Sequence, residues 1–173
     1  LPGLNVEEVS GDVQPPDLLA AEFVGMFGAF PVRSMLVAIG KDNYLTNPLT
    51  GVWEQIEPTV NLGGFFNTSE GMASLLEKMT GTEFLSDPTL DSSNYKIKGD
   101  LATIHLGSLL GETLENGSVV VEASISKDNF ALNEIKFIGQ AKVSDIDGTI
   151  RLVTMGKFNV PVEIEVPSIT KAK

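Results

Sequence analysis

The sequence predicts an α+β protein, mostly antiparallel strands with one amphipathic helix and a shorter second one. Three observations lead there. Apolar and polar residues alternate with period two over several segments, short polar turns separate those segments, and one stretch changes to helical spacing. No internal repeat, low-complexity tract or long linker divides the chain, so residues 1–173 are expected to form one domain.

The first strands are expected near residues 4–13, 18–27, 32–39 and 43–46. Pro15-Pro16, Gly28 and the run Gly40-Lys41-Asp42-Asn43 break them. Several are apolar on both faces, notably Phe23-Val24-Gly25-Met26-Phe27 and Met35-Leu36-Val37-Ala38-Ile39. A sheet with one wet face would alternate instead, so something apolar must cover the second face: helices, a partner or a ligand.

Helical spacing enters at residues 69–79, where Met72, Leu75, Leu76 and Met79 recur at i, i+3, i+4 and i+7. Asn67, Thr68 and Ser69 offer cap oxygens, and Glu70 suits the positive end of the helix dipole. A shorter helix is expected over residues 102–110, before Gly111. Between the helices, residues 83–90 and 94–99 read as a hairpin across Asp91-Ser92-Ser93.

A meander closes the pattern. Val119, Val121, Ala123 and Ile125 share one face of a strand, opposite Glu122, Ser124 and Ser126. In the next strand Ile135, Phe137, Ala141 and Val143 oppose Glu134, Lys136, Gln140 and Lys142. In the last, Ile150 and Leu152 oppose Arg151. The links Lys127-Asp128-Asn129 and Asp145-Ile146-Asp147-Gly148 are short enough only for antiparallel neighbours.

Composition excludes several functions. Asp and Glu number 23 against 12 Lys and Arg, a net charge of −11, and the basic residues are scattered. A nucleic-acid backbone would be repelled, and so would an anionic membrane surface. No apolar run approaches the ~18 residues that cross a bilayer as a helix. The absence of cysteine removes disulfides, thiolate metal sites and thiol catalysis. The abrupt opening Leu1-Pro2-Gly3 suggests a trimmed start.

The motifs that could carry chemistry read better as structure. His105 is the single histidine, has no partner at ligand spacing, and suits the surface of the short helix. Asp145-x-Asp147-Gly148 resembles the start of a calcium loop, but Arg151, Leu152 and Val153 stand where a later acidic ligand is needed. An Asp-Gly turn is the simpler reading. Gly63-Gly64 and Gly25-x-x-Gly28 lack the Lys-Ser or Lys-Thr of a phosphate loop, and no Gly-x-Ser-x-Gly elbow exists. Asn67-Thr68-Ser69 and Asn116-Gly117-Ser118 fit a glycosylation pattern, yet also a helix cap and a turn. No catalytic residue, metal site or cofactor is predicted.

Apolar bulk remains. Met26, Phe27, Phe30, Met35, Phe65, Phe66, Met72 and Met79 are large, and methionine adapts to irregular cavities. They either fill a core or line a cavity between sheet and helices.

The order of motifs adds a resemblance. Leu1-Pro2-Gly3-Leu4 with Gly11-Asp12-Val13-Gln14-Pro15-Pro16-Asp17 resembles the opening strand and turn of the LppX/LprG family. That family comprises the actinobacterial lipoproteins LppX, LprG, LprA and LprF, with relatives in other bacteria. The segment from Val37 to Thr46, the turn Asn47-Pro48-Leu49-Thr50-Gly51-Val52-Trp53, the helix Gly71-Met72-Ala73-Ser74-Leu75-Leu76 and the close from Phe158 to Pro167 are each similar to its motifs, in its order. Against the family pattern, the lipobox cysteine, first helix and first strand are expected to be missing, and with them a membrane anchor.

The resemblance implies an antiparallel β half-barrel wrapped over helices on its concave side, with a hydrophobic cavity between. It implies binding and transport of multi-acylated lipids or glycolipids in the bacterial cell envelope, outside the cytoplasm, without catalysis. Acyl chains are then expected between the sheet and the 69–79 helix. Val121, Ile125, Phe137 and Leu152 should line one wall and Met72, Leu75, Leu76 and Met79 the other, with Met35, Phe65 and Phe66 near the mouth. The alternative is an envelope interaction module whose spare apolar face docks a membrane transporter or a second copy of the chain. An enzyme would need a polar cluster inside the cavity, and the sequence names none.

Overall fold

The computed structural model describes residues 4–57, 71–89, 93–110 and 112–169. The backbone divides into two units, Leu1–Asn67 with Pro161–Lys173, and Thr68–Val160. Each holds one five-stranded antiparallel sheet in which sequence neighbours pair.

In the first unit β1 (Leu4–Gln14), β2 (Leu18–Phe27), β3 (Phe30–Ile39), β4 (Asp42–Thr46) and β5 (Trp53–Ile56) follow one another across the sheet. Phe27 pairs with Phe30 and Ile39 with Asp42, leaving two-residue turns. Gly28 and Gly40 open those turns at φ of 61° and 62°, a left-handed geometry that suits glycine. Leu19, Ala21, Leu36 and Ala38 form the core of one face, packed by Val13, Phe23, Leu45 and Ile56. The expected two-faced character holds in part: Val37 and Ile39 on the other face are half-buried, while Glu22 and Arg33 form a salt bridge of 2.9 Å. Residues 47–53 turn as expected, with Asn47 Oδ1 accepting from the Leu49 and Thr50 amides. Trp53 then starts a strand, β5, which the sequence reading placed inside the turn.

The second unit opens with α1 (Met72–Glu77), followed by β6 (Thr80–Phe84) and β7 (Asn94–Ala102). A 3-10 turn (Thr103–Leu106) and the single-turn α2 (Gly107–Leu110) lead into β8 (Ser118–Ser126), β9 (Leu132–Ile138) and β10 (Ile150–Thr154). The 69–79 helix is shorter than its periodicity predicts. Gly71 is the N-cap without a side-chain cap bond, and the expected cap residues Asn67, Thr68, Ser69 and Glu70 lie outside the described residues. Bonds from the Lys78 and Met79 amides to the Leu75 and Leu76 carbonyls carry the chain one tight turn further, so Met79 stays in the apolar stripe.

The meander forms with one displacement. Strand β9 stops at Ile138, where Gly139 has φ 126°, so Ala141 and Val143 belong to the following loop. Among the described residues no helix is long and apolar enough to cross a membrane.

Candidate functional site

Register assigns each side chain of the second sheet to a face. Gly99 pairs with Val121 and Val121 with Phe137, so these residues share a face. One row along, Ile97, Ala123 and Ile135 continue it, and the next row holds Tyr95, Ile125 and Leu132. Leu101, Val119, Val121, Ile135 and Phe137 are all fully or almost fully buried. The opposite face is a charge ladder. Glu83, Lys98, Glu122 and Lys136 stand across four strands, with Lys98–Glu83 at 2.9 Å and Lys136–Glu122 at 3.2 Å. Alternating signs at neighbouring positions stabilise each pairing modestly.

The turn that follows α1 meets the apolar face at Gly99. A Cβ on Gly99 would lie 3.0 Å from Met79 Cε, so the methionine methyl packs over that glycine, beside Val121. Met72, Leu75 and Met79 are buried and Leu76 is half-buried. The structure therefore links Met79, Gly99, Val121 and Phe137, with Ile125 half-buried further along β8.

Leu152 does not join them. It pairs with Lys136, on the charged face, and is 54 % exposed. Arg151 takes the inward position, opposite Phe137. The cause lies in the β9–β10 loop. Asp145 Oδ1 accepts a 2.6 Å hydrogen bond from Arg151 Nη2, while Asp145 Oδ2 accepts from the Lys142 and Ala141 amides at 2.9 and 2.8 Å. This clasp sets the phase of β10 against the hydrophobic alternation. Met35 is 44 % exposed on β3, in the first unit, and Phe65 and Phe66 lie outside the described residues.

The same clasp answers the calcium-loop resemblance. The Arg151 guanidinium, then the two amides, hold the Asp145 carboxyl down at about 2, so its oxygens are already engaged. Among the described residues no group of acidic or histidine side chains could hold a metal ion. His105 lies half-buried in the 3-10 turn, and Glu115-Asn116 form a turn followed by Gly117, whose carbonyl accepts from the Thr103 amide at 3.0 Å. A surface depression of about 390 Å³ lined by Lys41, Asp42, Gln55, Ile56 and Glu57 is mostly polar and suits no acyl chain.

Sequence reasoning missed an aromatic group at one end of the apolar face. Phe84 pairs with Ile97 and its ring centre lies 6.2 Å from that of Tyr95. Phe130, in the β8–β9 turn, stacks on Tyr95 at 6.5 Å. The period-two phase of Tyr95 with Ile97 was the available signal.

No family model matches the sequence, and no curated protein matches it by sequence. Among solved structures, LprF from Mycobacterium bovis matches with a TM-score of 0.71 over 96 % of this chain and 83 % of that one. The chain has the LprF fold. Identity to LprF is only 16 %, so the likeness speaks to backbone architecture. LprF is one of the lipoproteins whose motif order the sequence resembles, and the fold agrees with that resemblance.

Proposed function

We propose that this protein is a non-enzymatic carrier of acylated lipids or glycolipids in the bacterial cell envelope, acting outside the cytoplasm. The observation that carries the reading is the packing of Met79 on Gly99 beside Val121 and Phe137, on a sheet with the LprF fold. An acyl chain would lie between this face and α1, in a hydrophobic cavity with the helices covering the concave side of the sheet. Burial contributes about 0.8 kcal/mol per methylene, so a long chain needs few polar contacts.

In this reading α1 is the movable wall. It has six residues, no side-chain cap bond, no acidic residue in its first turn and no basic residue in its last. Such a helix depends on tertiary packing for its stability and yields at small cost. Met72, Leu75, Leu76 and Met79 would turn from packing on the protein to packing on lipid, with Val121, Ile125 and Phe137 as the fixed wall. Anchoring to the membrane and exchange with a membrane transporter belong to the same reading.

The test is native mass spectrometry of the purified protein beside mass spectrometry of its organic extract. A stoichiometric multi-acyl lipid, lost on extraction, supports the carrier. An unliganded mass that persists after incubation with envelope lipids sinks it.

One observation favours a second reading. Ile150 and Leu152 point outward from β10, which ends its sheet, and are 60 % and 54 % exposed. An unpaired edge with apolar side chains can pair with another strand. An interaction module of this kind predicts a lipid-free dimer in light scattering.

A further inference from the structure

The apolar face of the second sheet runs from buried to exposed along its length. Val121 is fully buried, Ala123 nearly so, Ile125 half-buried and Phe130, just beyond the strand, 73 % exposed. Phe84, at 54 %, widens that exposed end. It is the end opposite α1, because Thr80 of β6 pairs with Asp100 while Phe84 pairs with Ile97.

The aromatic group is held, not frayed. Lys127 Nζ donates to the Pro88 carbonyl at 2.7 Å and lies 5.4 Å from the Tyr95 ring centre. The Lys127 amide donates to the Ser93 carbonyl at 2.9 Å, joining the β8–β9 turn to the start of β7. Within the turn, the Phe130 amide donates to the Ser126 carbonyl and the Ala131 amide to Asn129 Oδ1, each at 3.0 Å. Phe130 itself sits at φ 57°, a left-handed conformation that bulky residues rarely adopt. A large ring is thus presented to solvent at a backbone position where glycine would be easier.

We propose that Phe84, Tyr95 and Phe130 form a docking patch for the surface of a zwitterionic lipid bilayer, at the end of the apolar face where cargo lipid enters. The occupant follows from continuity and charge. The patch continues the face assigned above to acyl chains, and its loading role rests on that reading. Aromatic rings beside a lysine are the composition that settles at a membrane interface. The charges near it include Lys127, over the Tyr95 ring, with Asp87 beside that lysine and Asp128 next in the chain, a sum of −1 in a chain of net −11. A zwitterionic surface accepts such an end, whereas anionic lipid would repel the rest of the molecule.

The test is co-sedimentation of the full chain with phosphatidylcholine vesicles, without and with added phosphatidylglycerol. Phe84→Ser with Phe130→Ser should lower partitioning about tenfold or more, since two exposed rings supply most of the inserted area. Added phosphatidylglycerol should weaken wild-type binding. Phe130→Gly suits the left-handed backbone, so it keeps the fold if the double variant does not, and it too should lose affinity. The proposal is overturned if wild type fails to sediment with phosphatidylcholine, if the variants sediment equally well, or if they abolish a dimer without changing lipid binding. Uptake of a short-chain acyl lipid below its micellar concentration, measured in parallel, separates the two ideas. Wild type that takes up the monomeric lipid but ignores vesicles defeats the docking patch alone. Wild type that docks but takes up nothing defeats the carrier reading alone.

Discussion

Met79 occupies the space that a side chain at Gly99 would need: its Cε would be 3.0 Å from a Cβ built there. The Thr80 carbonyl would be closer still, at 2.9 Å. A flexible methionine can retreat, but the backbone of β6 cannot do so without disturbing its pairing. Gly99→Ala should therefore cost about 1–3 kcal/mol in urea unfolding, as overpacked positions do. In a Met79→Ala background Gly99→Ala should cost less than in wild type, but not nothing, because the Thr80 contact remains.

Wall assignments can be tested by filling space. Leu76→Trp places an indole at the half-buried side of α1 and should reduce lipid uptake of the folded protein severalfold. Leu152→Trp should leave uptake unchanged, because that residue stands across from Lys136 on the charged face. Equal losses from both would put the acyl chains somewhere other than the Val121–Phe137 face.

Asp145 makes stability depend on acid. Its carboxyl is held at about 2, below its ordinary 3.8, by Arg151 and two amides. A lowered value in the folded state means the stabilisation is complete above about pH 4 and drains away as the pH falls toward 2. After allowance for solvent screening, it amounts to roughly 1–2 kcal/mol. Thermal midpoints measured across that range should fall more steeply for wild type than for Asp145→Asn, which starts lower and lacks this limb.

Glu122 lies between two lysines, across from Lys98 on one side and Lys136 on the other. Glu122→Lys would set three cations in a row and should cost about 0.5–1 kcal/mol. Combining it with Lys136→Glu should recover part of the loss. Chemical denaturation of both variants, with and without added salt, reads the effect, and salt should shrink it.

Phe130→Gly removes a bulky side chain from φ 57° and from mostly solvent-exposed surroundings. The relief of backbone strain should leave the thermal midpoint unchanged or raise it, by the equivalent of up to about 1 kcal/mol. A clear drop would mean that stacking on Tyr95 outweighs the strain.

Much of this architecture is legible in the residues themselves. Gly28, Gly40 and Pro15-Pro16 punctuate the first sheet where the turns fall, and Val119 to Ile125 declare their buried face by alternation alone. Strand β10 is not legible in that way. Ile150 and Leu152 look like the inward pair, yet the loop before them, clasped between Asp145 and Arg151, turns Arg151 inward. Long-range hydrogen bonding overrides local hydrophobicity there, and period two cannot report it. The length of α1 is hidden for a similar reason. The apolar stripe runs on through Met79, while the helical bonds tighten after Glu77. Strand β5 is four residues long and follows a turn directly, too short for alternation to register.

The row Glu83, Lys98, Glu122, Lys136 also discriminates between ways of assembling the sheet. If β8 slid by one residue against its neighbours, Glu122 would swing into the apolar side and Val121 into water, a cost no rearrangement of lysines could offset. A slide by two in one direction would set Glu122 against Asp100 in place of Lys98. Both registers are therefore less stable than the native one. The outward charges thus serve as an alignment key: their modest contribution to the finished fold is compatible with a larger role in excluding its near-misses.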